Sequence, residues 1–167
     1  LWHFRYSPDA RTARTNFVED LFDVSAWDTI TVPSCWQMKG WDTPLYINVN
    51  HIFEDNPPFI RIQKTYTSAV DPNPTGSYRR DFILPTGWEK KRVYLHFDGL
   101  YSGAYVWING RYIGYTQGGN NDAEFDISAA VRAGQNNVSI QVVRWTDASY
   151  LEGQDMFHMS GLHRDVY

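Results

Sequence analysis

Two polar side chains interrupt apolar stretches of the chain at positions where a sugar or a cation could use them. Asp155 lies among apolar and aromatic neighbours after a strand-like segment, and Asn48 is the one amide within the apolar residues 44–49. Because a buried carboxylate is costly without a partner, we expect Asp155 to have one. A pair of sugar hydroxyls, a Na⁺ ion, or an ion pair with Arg144 or Arg164 would serve. Asn48 can bond a hydroxyl pair or, alternatively, its own backbone.

Glu152 and Asp155 resemble a pair of glycosidase carboxylates only superficially. A retaining glycosidase needs two carboxyl groups roughly 5 Å apart that approach the scissile bond from different sides. Residues three apart on one local element project in similar directions, so this pair does not fit that geometry. The sequence therefore predicts residues that position a sugar, and none that cleave it.

Other possible reactive groups carry no chemistry that we can assign. The five His have no metal-ligand spacing and Cys35 is the only cysteine, so we expect no zinc site and a small buried residue at Cys35. Residues 163–165 match a kinase catalytic triplet by chance, since no glycine-rich nucleotide loop accompanies them. The glycosylation triplet at 137–139 falls in a predicted strand and receives no role.

The aromatic content points to a sheet core. Seven Trp, eleven Tyr and nine Phe are more rings than sugar stacking could use, and aromatic residues favour strands. Trp36, Trp41 and Phe157 fall in predicted loops, so they are candidates for stacking on a sugar or for packing against another domain, with core packing as the alternative. A net charge of -4 without a basic stripe argues against nucleic acid and anionic membranes as partners.

Alternating hydrophobicity predicts an all-β fold: an antiparallel β-sandwich of jelly-roll type. Asn109 and Gly110 predict a type I′ turn that joins two strands in a hairpin. Residues 19–23 and 126–134 predict single helical turns, and the Pro-rich and Gly-rich stretch from 33 to 59 predicts functional or interfacial loops. The clearest strand patterns lie at 77–84, 92–97, 104–108 and 137–145, and 111–115 is the second strand of the hairpin.

Residues 1–167 are expected to form a single domain cut from a longer protein, because the chain begins inside an alternating pattern without an initiator Met. The sequence resembles the N-terminal sugar-binding domain of glycoside hydrolase family 2 β-galactosidases of the long bacterial type. The motifs that carry this resemblance span almost the whole chain, at 32–38, 44–49, 56–59, 73–78, 97–99, 107–111, 114–115, 124–128, 144–152, 154–156 and 159–161.

The resemblance implies a jelly roll that packs against a (β/α)₈ barrel of the same polypeptide, which carries the catalytic glutamates. The complete enzyme would hydrolyse terminal non-reducing β-D-galactosides with retention. Asn48 and Asp155 would reach the galactosyl unit, and Asp155 would also ligate a Na⁺ whose other protein ligands come from the barrel. A Mg²⁺ would lie near Gln117 and Asp147, with further ligands from a segment before Leu1.

The sequence departs from the family pattern at two places, and three alternative functions remain. The segment 61–70 resembles an insertion, since relatives are shorter here, and it could reshape the aglycone side of the sugar site. Cys35 occupies a position where relatives have Asn. The chain could instead be a stand-alone carbohydrate-binding module, a purely structural domain, or part of a related β-glucuronidase or β-mannosidase. We expect a β-galactoside and a barrel domain as partners, an oligomeric parent protein, and a cytoplasmic or periplasmic location in a bacterium.

Overall fold

A computed structural model describes residues 1–48, 52–63 and 73–167 of the chain. Most of the insertion-like segment 61–70 therefore lies outside the described residues. The strands are β1 (Trp2–Ser7), β2 (Asp28–Ile30), β3 (Leu45–Ile47), β4 (Thr75–Leu84), β5 (Tyr94–Phe97), β6 (Gly103–Ile108), β7 (Arg111–Gln117), β8 (Ala123–Asp126), β9 (Gly134–Val143) and β10 (Met156–His158).

The helical content of the described residues is limited to short 3₁₀ turns, and no helix there is long and apolar enough to cross a membrane. These turns cover Ala10–Thr12, Asn16–Val18, Trp36–Lys39, Trp88–Lys90 and Asp147–Tyr150. Within 126–134 there is one turn, in which the amides of Ala130 and Val131 both donate to the Ile127 carbonyl. Within 19–23 there is a reverse turn from Glu19 to Phe22 and not a helix.

The strands form one large antiparallel sheet and two ribbons, which confirms the predicted all-β architecture. The sheet has the order β2-β1-β4-β9-β6-β7, and β10 pairs with β3 while β5 pairs with β8. Its centre is the ten-residue pairing of β4 with β9. Asn109 and Gly110 both have positive φ, 51° and 79°, between β6 and β7, as a type I′ turn requires.

The core lies between the large sheet and the opposite layer, as expected for a β-sandwich. Alternate residues of the sheet face inward and are almost fully buried, and they meet Leu95 and Phe97 of β5 and Leu162 near the C-terminus; the sheet contributes Phe4, Tyr78, Ala104, Val106, Ile140 and Val142. Gly76 is required here, because a Cβ at this position would lie 2.8 Å from the rings of Phe4 and Trp36.

Two of the three aromatic candidates for sugar contact belong to this core. Trp36 is 0% exposed and Trp41 is half-buried, and the Trp41 ring lies 4.8 Å from that of Phe4. The hypothesis that Trp36 stacks on a sugar is therefore wrong, and for Trp41 the core alternative holds. Phe157 remains 58% exposed.

Candidate functional site

The ribbon of β3 and β10 places the two predicted site residues at the same end, each one residue beyond its last strand pair. Its antiparallel register pairs Leu45 with His158, Tyr46 with Phe157, and Ile47 with Met156. The same register continued by one residue sets Asn48 opposite Asp155, although 109 residues separate Tyr46 from Asp155 along the chain. Opposite residues of antiparallel strands have Cα atoms about 4.5–5.5 Å apart, so both side chains can contact one small ligand.

The ribbon has a buried face and an exposed face because side chains alternate along a strand. Ile47 and His158 point inward, are 7% and 4% exposed, and pack near Trp145, Tyr101 and Phe53. The opposite face, which we call the ribbon face, is made of Tyr46, Asn48, Asp155 and Phe157, and all four are exposed.

Asp155 is exposed and is not the buried, ion-paired carboxylate that its apolar neighbours suggested. Its neighbour Met156 packs into the inner cluster, whereas Asp155 and Phe157 are exposed on the opposite face. The partner of its Oδ1 is the Tyr46 hydroxyl, which donates a hydrogen bond to it. This hydrogen bond to the carboxylate is the main reason that the pKa of Tyr46 is raised.

The two arginines considered as partners of Asp155 have other roles. Arg164 donates to the backbone carbonyls of Asp98 and Asn120. Arg144 is 6% exposed and forms an ion pair with Asp42 at 2.5 Å. The predicted ion pair of Asp155 with either arginine is therefore wrong.

Arg144 instead links the ribbon to the large sheet, because it directly follows β9 and donates hydrogen bonds to the ribbon backbone. Its guanidinium donates to the Thr43 carbonyl, two residues before β3, at 3.1 Å, and to the His158 carbonyl in β10 at 3.3 Å. It also lies over the Trp145 ring, 4.8 Å from the centroid. One planar group thus holds the flanks of both ribbon strands, which a single-point ammonium could not do.

Glu152 contributes to this support and not to the ribbon face. Its Oε1 accepts the Gly119 N–H at 2.7 Å. Burial, followed by the charge of Glu152, raises the pKa of Tyr101, whose hydroxyl lies 3.0 Å from Nδ1 of His158. Glu152 therefore anchors the segment leading to Asp155, in keeping with the rejection of a catalytic pair.

Gln117 and Asp147, the residues implied as Mg²⁺ ligands, share the neighbourhood of Tyr115. The Tyr115 hydroxyl donates to Gln117 Oε1 at 2.7 Å, and the charge of Asp147 is among the causes, after burial, that raise the pKa of Tyr115 to about 12. Both side chains are exposed oxygen donors, so they fit one part of a divalent site. The described residues contain no group of three His, Cys, Asp or Glu that could hold a metal, and the Mg²⁺ site stays a prediction.

Tyr46 is the site residue that sequence reasoning missed. The sequence feature that could have revealed it is that Tyr46 and Asn48 stand at positions i and i+2. In a strand, two such residues lie on the same face. The segment was too short and too close to Pro44 to show a convincing alternation. Its ring also meets Phe157 edge to face, with centroids 5.5 Å apart.

Comparisons with known proteins agree on the family. The family described as "Glycosyl hydrolases family 2, sugar binding domain" matches residues 1–167. The chain is 43% identical over 165 residues to a β-galactosidase of Psychromonas ingrahamii and 40% identical over 170 residues to a β-galactosidase of Priestia megaterium. It spans only 15% and 16% of the lengths of these two proteins, against 99% of its own.

Solved structures show the same fold at lower identity. Bacteroides uniformis β-glucuronidase 2, covalently bound to cyclophellitol-6-carboxylate aziridine, matches 98% of this chain and 16% of its own, with a TM-score of 0.69 and 22% identity. A β-glycosidase from Bacteroides vulgatus matches 99% of this chain with a TM-score of 0.64 and 22% identity. Together with the match to the family over every residue, these findings show that the chain is a sugar-binding domain of glycosyl hydrolase family 2.

Proposed function

We propose that the ribbon face is one wall of a β-galactosidase active site in a larger polypeptide. The observation that carries this proposal is that Asn48 and Asp155 each lie one residue beyond the last strand pair, Ile47 with Met156, at the same end of the ribbon, and that both are exposed. An amide and a carboxylate side by side can take several hydroxyls of one sugar, and Phe157 next to them offers an apolar ring. The 40–43% identity to two β-galactosidases supports galactose as the sugar.

The open shape of the ribbon face supports a shared site. Small-molecule sites are usually concave and enclose most of the ligand, whereas Tyr46 and Phe157 are 53% and 58% exposed. A second surface must complete the pocket. We assign that surface, with the catalytic carboxylates of a retaining mechanism, to a (β/α)₈ barrel in the remaining length that the relatives possess.

Asp155 fits a partial Na⁺ site. Tyr46 bonds Oδ1, and Oδ2 can ligate a cation or accept a sugar hydroxyl. A hard cation takes about six or more oxygen ligands, so one carboxylate cannot hold it alone. The domain therefore contributes position and charge, and bond cleavage belongs to residues elsewhere.

A β-glucuronide is a less suitable substrate for this surface. Its sugar carries a carboxylate, and the ribbon face presents a carboxylate and an amide but no cation among its four members. Like charges at such a contact are unfavourable. The β-glucuronidase structures similar to this chain are under 25% identical, so they support the fold and not the substrate.

The test is a substrate panel on the full-length protein. We expect hydrolysis of 4-nitrophenyl β-D-galactoside with a Na⁺ requirement, and much slower hydrolysis of the β-D-glucuronide. Galactose titration of the isolated chain should show no saturable binding. Preference for the glucuronide would refute the assigned substrate, and tight galactose binding by the isolated chain would favour a self-sufficient binding module.

A further inference from the structure

The hydroxyl of Tyr46 is the anchor of the Asp155 carboxylate. It donates to Oδ1 from the neighbouring strand of the ribbon, two positions before Asn48, which the continued register sets opposite Asp155. No second described residue bonds this carboxylate. Asp155 lies just before β10 and is exposed, so without this bond its two side-chain torsions would rotate with little restraint.

Tyr46 itself is held by its backbone and by one ring contact. Its backbone belongs to β3, its opposite neighbour is Phe157, and the two rings meet edge to face at 5.5 Å. Aromatic pairs of this geometry contribute beyond their buried area. A donor fixed in this way selects one oxygen and one plane for the carboxylate, whereas a flexible donor would follow the carboxylate instead.

We propose that Tyr46 is a positioning residue that takes Oδ1 of Asp155 and thereby presents Oδ2 to the sugar hydroxyl or cation. This inference rests on the proposed function of the ribbon face. It assigns Tyr46 a role through Asp155 and not through a contact of its own with the ligand. Preorganisation of this kind raises affinity because less rotational freedom is lost on binding.

The test is a double-mutant cycle in the full-length protein with Tyr46→Phe and Asp155→Ala, read as kcat/KM on a β-galactoside and as the Na⁺ concentration for half activation. Losing a partly exposed hydrogen bond to a charged group corresponds to roughly a five- to tenfold change in an equilibrium or rate constant. We expect Tyr46→Phe to lower kcat/KM by about that factor and to raise the Na⁺ requirement. In the Asp155→Ala background, the same change should have almost no effect.

Tyr112→Phe is the matched control. Tyr112 has the same 53% exposure as Tyr46, and its ring also packs on one aromatic neighbour, Trp107, at 5.7 Å. Kinetics should stay at the level of the unmodified protein in this variant. Losing one partly exposed hydrogen bond should lower the unfolding temperature of Tyr46→Phe by a few degrees at most, so both variants should stay folded under the assay conditions.

A binding readout separates positioning from a merely structural role. Calorimetric titration of galactose into the full-length protein at a fixed Na⁺ concentration measures affinity without turnover. Tyr46→Phe should weaken galactose binding by about five- to tenfold while Asp155 is present, and it should have almost no effect when Asp155→Ala is present in both proteins. A structural role would weaken binding equally in both backgrounds.

The outcomes distinguish this inference from the function on which it rests. If Asp155→Ala leaves kinetics unchanged, the proposed site itself fails. If Asp155→Ala lowers kcat/KM and Tyr46→Phe leaves kcat/KM and the Na⁺ requirement unchanged, only the positioning role is overturned. An equal loss from Tyr46→Phe with and without Asp155 would also overturn it, since Tyr46 would then act on the ligand directly.

Discussion

Replacing Arg144 should loosen the ribbon that carries the candidate site. In Arg144→Met, the Asp42 carboxylate, whose side chain is 14% exposed, loses its cation at 2.5 Å, and the carbonyls of Thr43 and His158 lose donors at 3.1 and 3.3 Å. Removing one partner of a buried ion pair costs about 3–5 kcal/mol. Arg144→Lys keeps the charge but loses the planar guanidinium and its second hydrogen-bonding direction. We expect this variant to be destabilised by about 1–2 kcal/mol.

Hydrogen exchange of the full-length protein, followed by mass spectrometry, measures this loss locally. A loss of about 3 kcal/mol corresponds to exchange more than 100-fold faster for amides that open with the ribbon. We expect that acceleration in β3 and β10 and much less in β4 and β9. Arg92→Met, a change at an exposed arginine, is the control. Unchanged exchange in both ribbon strands of Arg144→Met would refute the role of Arg144 as their common anchor.

Three further predictions concern the scaffold. Gly76→Ala should destabilise the protein by about 1–3 kcal/mol in urea unfolding, because its Cβ would lie 2.8 Å from the Trp36 ring; an unchanged midpoint would contradict this packing. Asn109→Ala should cost about 1–3 kcal/mol in the same assay, since Asn109 has a φ of 51° and its side chain makes three hydrogen bonds. Burial lowers the pKa of His158 below 6.5, so the unfolded state takes up its proton first as pH falls. Stability should be full above about pH 6.5 and decline below it, and His158→Gln should flatten that decline in a series of unfolding temperatures.

The strands, the hairpin and the family could be predicted because local patterns determine them. The segments with clear alternation, 77–84 and 137–145, form most of β4 and β9 at the centre of the sheet, where residues 75–79 and 136–140 are buried on both faces. The turn at Asn109 and Gly110 depends on backbone conformations that few residue types adopt. Both kinds of signal are independent of distant parts of the chain.

The surroundings of Asp155 could not be predicted, because they depend on a pairing between segments more than 100 residues apart. Local hydrophobicity suggested a buried carboxylate, yet alternation along β10 sends Asp155 outward while His158 points inward. Arg144 was a reasonable partner by charge alone. The positive φ of Asp42, 62°, and the fold of its loop bring that carboxylate to Arg144 instead, and no local pattern encodes such a contact.

The most direct test of the proposed site is the kinetics of Asp155→Asn in the full-length protein, beside Asp165→Asn as an exposed control of the same residue type. Loss of correct positioning can reduce a rate by about 100-fold. We predict a fall of that order in kcat/KM on a β-galactoside and a lost response to Na⁺ for Asp155→Asn, with neither change for Asp165→Asn. Unchanged kcat/KM and an unchanged Na⁺ response in Asp155→Asn would contradict a role for the ribbon face in the active site.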